Sequence, residues 1–264
     1  MRTTTFADRY QSVLVPVIFE PWAREMIQRA NPQAGEHVLD LACGTGVVTR
    51  QVAKLARGQA SLVGVDHSDE MLDVARELGA EAGLDAEWFE ADVCELPFDE
   101  NQFDLAFCQQ ALQFFPDRPK AILELRRVLK PGGRVVCCVQ QELDVNPMLK
   151  AQAAALDAHV SEKAGDAVRA ICGLPDGDEL RRLFEDAGFQ NVEVMSTTLI
   201  LQHPDARAFA EGAMGGMHTG DKLSGLAEGA IERAVEAFLS GLGDYLDGAA
   251  MRFPHTSNVI TTRA

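Results

Sequence analysis

The chain has 264 residues, long enough for one sizeable domain with appendages and short for two tandem enzymes. Its 47% hydrophobic and 24% charged residues exclude disorder as the main state. With 24 Lys and Arg against 40 Asp and Glu, the formal charge of −16 repels phosphate backbones and anionic bilayers, which argues against nucleic acid or a membrane as partner. The six cysteines (Cys43, Cys94, Cys108, Cys137, Cys138 and Cys172) show no CxxC and no zinc spacing, so reduced, mostly buried thiols of a cytoplasmic protein are expected. No apolar stretch approaches the ~20 residues of a membrane helix. The run Val13–Phe19 is interrupted by Pro16 and lacks a small-residue cleavage pattern, so no signal peptide is expected.

Residues 1–33 precede the first predicted strand, Glu36–Leu41. A helix is expected at Val47–Arg57, and a second strand at Ser61–Asp66. Ser68 can cap the next helix, whose first turn carries Asp69 and Glu70, favourable against the helix dipole. Met71, Ala75 and Leu78 follow the i, i+4, i+7 spacing of one buried face. Strands follow at Ala86–Glu90 and Phe103–Cys108. A helix from near Asp117 should bury Ala121, Ile122, Leu125, Val128 and Leu129 and stop at Pro131-Gly132-Gly133, before a fifth strand, Arg134–Val139. That strand is β-branched without alternation, as suits one covered on both faces. After the extra segment Glu142–Pro175, a helix from about Asp178 shows Leu180, Leu183, Phe184 and Ala187 on one face, with Gly188 as its stop. Strands at Asn191–Ile200 and Ser257–Thr262 flank a mixed helical segment, His203–Gly248. Strand and helix alternating in this way predict an α/β, doubly wound, Rossmann-like and mostly parallel sheet of seven strands. The three segments left over should pack together over its ligand edge.

The sharpest local signal is Val38-Leu-Asp-Leu-Ala-Cys-Gly-Thr-Gly46, an apolar strand running into a Gly-x-Gly turn and straight into a helix. Asp66 stands 20 residues after Gly46, at the end of the second strand. Glycines let backbone approach a ligand, and an acid at that distance can accept both hydroxyls of a ribose. A dinucleotide fingerprint has a third glycine where this chain has Thr49. Asp40, beside the turn, would oppose a pyrophosphate but suits a ligand bearing ammonium and sulfonium charges. The pattern prefers a cationic nucleoside to an anionic one.

Asp40-Leu-Ala-Cys-Gly-Thr-Gly46, Gly64-Val-Asp66, Ala91-Asp92-Val93, Leu96-Pro-Phe98, Phe103-Asp104 and Leu129-Lys-Pro-Gly-Gly133 resemble successive motifs of class I S-adenosylmethionine-dependent methyltransferases, in the branch similar to the ubiquinone/menaquinone methyltransferases. The resemblance is strong over residues 35–140, moderate over the last strands and poor elsewhere. It implies a single methyltransferase domain whose last strand is antiparallel. Residues 1–33 would form a helical cap and 34–141 the cofactor core. Residues 142–175 and 203–250 would be substrate lids, with 176–202 and 251–264 closing the sheet. It further implies that backbone at Ala42, Gly44, Thr45 and Gly46 lines the methionine moiety, with Asp40 near its ammonium, and that Asp66 binds the ribose. His67 and Met71 would lie against the adenine. Ala91, Asp92 and Val93 would contact the adenine edge, Asp92 accepting from the amino group and the Val93 amide donating to a ring nitrogen. Cys108 and Gln109 would face the methionine amino group, and Gln113 the transferred methyl.

No base is evident; Tyr10 and His218 are the candidates, Tyr10 because an N-terminal helix in similar enzymes often folds over the cofactor, and Gln113 joins them as a candidate catalytic residue. Trp22 and Met26 read as a buried helix face, and one of Phe114 and Phe115 as core. Met214, Met217 and His218 read either as an adaptable pocket or as helix packing. His159, His203 and His255 are expected at the surface or as caps. No Asp, Asp, Asn trio suggests a divalent metal, so a metal-free site is expected. The implied function is methyl transfer from S-adenosyl-L-methionine to a small molecule, leaving S-adenosyl-L-homocysteine. The alternatives are a non-methylating binder of that cofactor and a protein using it for a non-methyl reaction. The acceptor and the oligomeric state are not readable.

Overall fold

The structure, a computed structural model, describes residues 5–56, 59–214 and 229–264. Its strands are β1 (His37–Leu41), β2 (Ser61–Asp66), β3 (Ala86–Glu90), β4 (Phe103–Gln109), β5 (Leu129–Gln140), β6 (Gln190–His203), β7 (Leu246–Asp247) and β8 (Ala250–Arg263). The sheet order is β3-β2-β1-β4-β5-β8-β6, with the two-residue β7 pairing β8 beyond the seven expected strands. The helices are α1 (Phe6–Arg9), a π-wound stretch Tyr10–Phe19 leading into α2 (Glu20–Ala30), α3 (Val47–Leu55), α4 (Asp69–Glu81), α5 (Arg118–Val128), α6 (Pro147–His159), α7 (Glu162–Arg169), α8 (Gly177–Asp186), α9 (Ala206–Met214) and α10 (Ala230–Leu242). The chain divides into two compact units.

One unit comprises the described parts of Met1–Ile18, Gln140–Pro175 and Thr198–Ser257. Here α6 packs on α7 and α10, and α9 on α10. Gly212 of α9 lets that helix approach the π-wound stretch, since a Cβ there would sit 2.6 Å from Val13 Cγ2. A buried amide, Asn146, ties the chain after β5 to β8. Its Oδ1 accepts from Gln140 Nε2 at 2.7 Å and from Thr256 N at 2.8 Å, and its Nδ2 donates to Glu142 O at 3.0 Å. Beside it His255 is buried, against the expectation of a surface or capping role. Burial pushes its imidazole down to about 3, so it is neutral at physiological pH. His203 does act locally, its Nδ1 accepting from Asp205 N at 3.1 Å.

The other unit comprises the described parts of Phe19–Val139, Asp176–Thr197 and Asn258–Ala264. β1 runs parallel to β2 and β4, β2 to β3, and β4 to β5. Antiparallel β8 is fixed against β5 by Gly132 N donating to Ala264 O and Ala264 N to Gly133 O, both at 2.8 Å. Leu39, Leu41, Phe103 and Phe107 are fully buried between the helix layers, and Trp22 and Met26 of α2 join this core. β5 begins earlier than its β-branched run. Phe103 lies opposite Leu129 but Leu105 opposite Arg134, so the Pro-Gly-Gly residues loop out of an extended ladder rather than merely ending α5. The expected face of α5 is buried throughout. On α8 only Leu180 and Phe184 are, Leu183 and Ala187 being half-buried. On α4 the buried residues are Leu72, Val74, Ala75 and Gly79, while Met71 and Leu78 stay half-buried. All the cysteines are buried except Cys172, which is half-buried.

Candidate functional site

The carboxyl end of β1 turns through three left-handed residues, Ala42 (φ 55°), Gly44 (φ 54°) and Gly46 (φ 78°), before α3 starts at Val47. Alanine in that region carries strain that glycine escapes. The neighbouring strand repeats the feature, for Gln110, directly after β4, has φ 53°. The remaining non-glycine residues with positive φ among those described are asparagines, which tolerate the conformation. Backbone strain at non-tolerant residues thus gathers at the carboxyl ends of two adjacent central strands, the place where α/β sheets bind ligands.

Asp66 clamps this turn. Its Oδ2 accepts from Gly44 N at 2.8 Å and its Oδ1 from Ser68 N at 3.0 Å. Ser68 in turn caps α4, its hydroxyl accepting from Met71 N at 3.4 Å. His67, exposed, brings Nδ1 within 3.4 Å of Asp66 Oδ1. Each Asp66 oxygen keeps further acceptor capacity beside the backbone donors. Asp40, 3% exposed, accepts at Oδ2 from Thr49 N at 3.0 Å and Thr49 Oγ1 at 2.7 Å. Burial pushes its carboxyl up to about 6; Thr49 pulls the other way and the negative charge of Asp66 adds to the rise. Thr49, which in sequence only marks a missing glycine, is therefore the partner of the site's most buried acid.

A second residue the sequence did not single out is Trp88 of β3. A Cβ on Gly46 would lie 2.5 Å from its Cη2, one on Gly64 2.5 Å from its Cε3, and one on Gly79 3.5 Å from its Cζ2. One indole thus fills the space over glycines of the turn, of β2 and of α4. Gly46 serves side-chain packing as well as the left-handed turn.

Of the other expected residues, Thr45 is buried in the turn. Ala91 N donates to Asp66 O at 3.1 Å, and the exposed Asp92 accepts at Oδ1 from Cys94 N at 2.8 Å. Val93 is buried, as are Cys108, Gln109 and Gln113 at and just beyond the end of β4. Gln109 Nε2 donates to Phe19 O at 2.7 Å. Phe115 joins the core and Phe114 is exposed. Tyr10 belongs to the other unit, where it is half-buried with its ring 6.3 Å from Phe6. Met214 is buried in α9, whereas Met217 and His218 lie outside the described residues. Among the described residues no cluster of three or more His, Cys, Asp or Glu could hold a metal ion, and no helix is long and apolar enough to cross a membrane.

Comparison with known proteins gives the family. The model of the ubiE/COQ5 methyltransferase family matches residues 4–203. A demethylmenaquinone methyltransferase of Staphylococcus aureus (strain JH9) is 31% identical over 202 residues, covering 72% of this chain and 83% of the relative. Among solved structures, YcgJ of Bacillus subtilis superposes with a TM-score of 0.59 at 21% identity, over 91% of this chain and 97% of that one. Phosphoethanolamine N-methyltransferase 2 of Haemonchus contortus, in complex with S-adenosyl-L-methionine, gives 0.61 at 21% identity over 98% of this chain and 55% of that one; these two likenesses speak to the fold. The acidic, glycine-built turn suits a cationic nucleoside, and the match runs through it from end to end: the chain belongs to the ubiE/COQ5 methyltransferase family and is an S-adenosylmethionine-dependent methyltransferase.

Proposed function

We propose that the turn 40–46 and the ends of β2, β3 and β4 hold S-adenosylmethionine for transfer of its methyl group to a small-molecule acceptor by in-line displacement. The supporting observation is the pair of acids around the strained turn: Asp66 on the Gly44 amide and Asp40 under the start of α3. Such a turn opposes a pyrophosphate and attracts a cation. Asp66 takes the ribose hydroxyls, Asp40 faces the ammonium, and Met71 with His67 flanks the adenine. Asp92 and the Val93 amide read the adenine edge, and Cys108 and Gln109 meet the methionine amino group. The cofactor supplies an electrophilic methyl on a good leaving group. What the chain's own residues add is orientation, worth up to ~7–11 kcal/mol in well-aligned cases, and a dry pocket. No metal enters this reading. The name of the Staphylococcus aureus relative makes a demethylated naphthoquinol ring the first acceptor to try.

Calorimetry with S-adenosylmethionine, S-adenosylhomocysteine and NAD tests the site. Binding of both adenosyl compounds at one site and none of NAD is expected; NAD bound in their place would overturn the reading. Incubation of cell extract with methyl-labelled donor then separates methyl transfer from mere binding, by the appearance of a labelled small molecule.

A further inference from the structure

Gln109 and Gln113 are 8% and 5% exposed, and the Oε1 of each is buried without a hydrogen-bond partner. Their amide orientations are fixed by the other branch. Gln109 Nε2 donates to Phe19 O at 2.7 Å, and Gln113 Nε2 donates to Gln110 O at 3.1 Å. Flipping either amide would set its oxygen against a carbonyl oxygen. The main chain at Gln113 is held as well, its carbonyl accepting from Arg118 Nη2 at 2.9 Å. Both side chains therefore present an unpartnered oxygen, Gln109 at the carboxyl end of β4 and Gln113 just beyond it. A buried acceptor left unmade is costly, and the strained Gln110 lies between the two in the chain. Two such costs in one turn are explained if ligands supply the donors.

An amide oxygen accepts from O–H or N–H and repels carboxylate or phosphate oxygens. The reading of the site above gives Gln109 one donor, the ammonium of the cofactor, and leaves Gln113 Oε1 unassigned. Resting on that reading, we propose that Gln113 Oε1 accepts a hydrogen bond from a hydroxyl on the methyl acceptor. The enzyme thereby selects neutral hydroxyl-bearing rings over anionic acceptors and over rings whose hydroxyl is capped. Donating that hydrogen bond also raises electron density on the ring without removing the proton. Gln113 is then a specificity-determining residue that positions and polarises its substrate rather than a base. A site built around a buried acceptor penalises a ligand lacking the donor, because the acceptor then stays unmade.

The test uses the full-length protein saturated with S-adenosylhomocysteine and a panel of phenols and naphthalenediols under reducing conditions, each paired with its methyl ether. Calorimetry should show at least one hydroxylated probe binding roughly tenfold or more tighter than its ether. In Gln113→Met, which keeps the length and loses the acceptor, that preference should collapse while affinity for S-adenosylhomocysteine is unchanged. A panel in which no hydroxylated probe is preferred to its ether overturns the proposal, as does a preference that survives in Gln113→Met. The first comparison needs no variant, so a poorly folding Gln113→Met does not rescue it. Failure of S-adenosylhomocysteine to bind the parent would instead strike the cofactor site itself.

Discussion

Asp66→Ala is the most informative single substitution, because the same carboxylate holds the turn and is proposed to hold the ribose. It removes acceptors from two backbone donors, Gly44 N at 2.8 Å and Ser68 N at 3.0 Å. Hydrogen bonds to a charged group contribute about 1.5–3 kcal/mol each. Asp66 is only 6% exposed, yet the truncated side chain opens room for water at the sheet edge. We therefore expect a net loss of roughly 2–3 kcal/mol of stability without ligand, using that range discounted for rehydration. For a chain of this size that lowers the melting temperature by about 5–10 °C. The ribose contacts should cost a comparable amount, about 30- to 150-fold in affinity for S-adenosylhomocysteine. Asp66 also supports the start of α4, since Ser68 is the cap and Asp66 holds the Ser68 amide. Both quantities must fall together. Thermal unfolding of the free protein and calorimetry with S-adenosylhomocysteine measure them. Earlier melting with unchanged affinity would reduce Asp66 to a clamp and refute its ribose role; unchanged melting would refute the clamp.

Three further outcomes follow from the turn and the strand beside it. The folded Asp40 carboxyl, pushed up to about 6 from 3.8, binds its proton more tightly than in the unfolded chain. The stability of the parent relative to Asp40→Asn, measured by urea unfolding, should therefore be greatest below pH 4 and fall by about 2–3 kcal/mol as pH rises to 7; a flat difference would mean that Asp40 is not buried. Gly64→Ala should destabilise by about 1–3 kcal/mol through overpacking, chiefly against Trp88, and should cost less when made in a Trp88→Leu background; an equal cost in the two backgrounds would show that the indole is elsewhere. Ala42→Gly relieves left-handed strain and should change stability by less than about 1 kcal/mol, in the stabilising direction, since relief of strain is offset by glycine's entropy; a loss above that size would place Ala42 outside the left-handed region.

What the sequence disclosed depended on whether a residue's role was local. The order of strands and helices was legible because each is marked by its own period, cap or stop. Ser68, Asp117 and Asp176 each cap the helix that follows. The first turn itself was legible because strand, glycine and acid are neighbours in the chain. The bond from Thr49 to Asp40 was not legible, for the opposite reason. The two residues are nine positions apart, across a turn, and only folding brings Thr49 Oγ1 within 2.7 Å. His255 was misjudged because nothing near it in sequence announces that Asn146 and Gln140, more than a hundred residues earlier, enclose it with β8. On α4 a regular spacing chose Met71 and Leu78, while the helix turns Leu72, Ala75 and Gly79 inward.

The indole over three glycines also bears on how the chain can change. Gly46, Gly64 and Gly79 come from a turn, a strand and a helix, yet a Cβ on each would first meet the same residue of a fourth element, too closely at Gly46 and Gly64 and in ordinary contact at Gly79. Their substitutions are therefore not independent trials. While Trp88 stays large, random mutagenesis should recover almost no working variants with a side chain at Gly46 or Gly64. Once Trp88 is shortened, Gly64 and Gly79 should open to larger residues in the same step. Gly46 should remain closed, because its φ of 78° excludes most side chains for a separate reason. A selection for binding carried out in the two backgrounds would then trace two different sets of accessible sequences from one starting fold, with a single aromatic residue deciding which of them lies within reach.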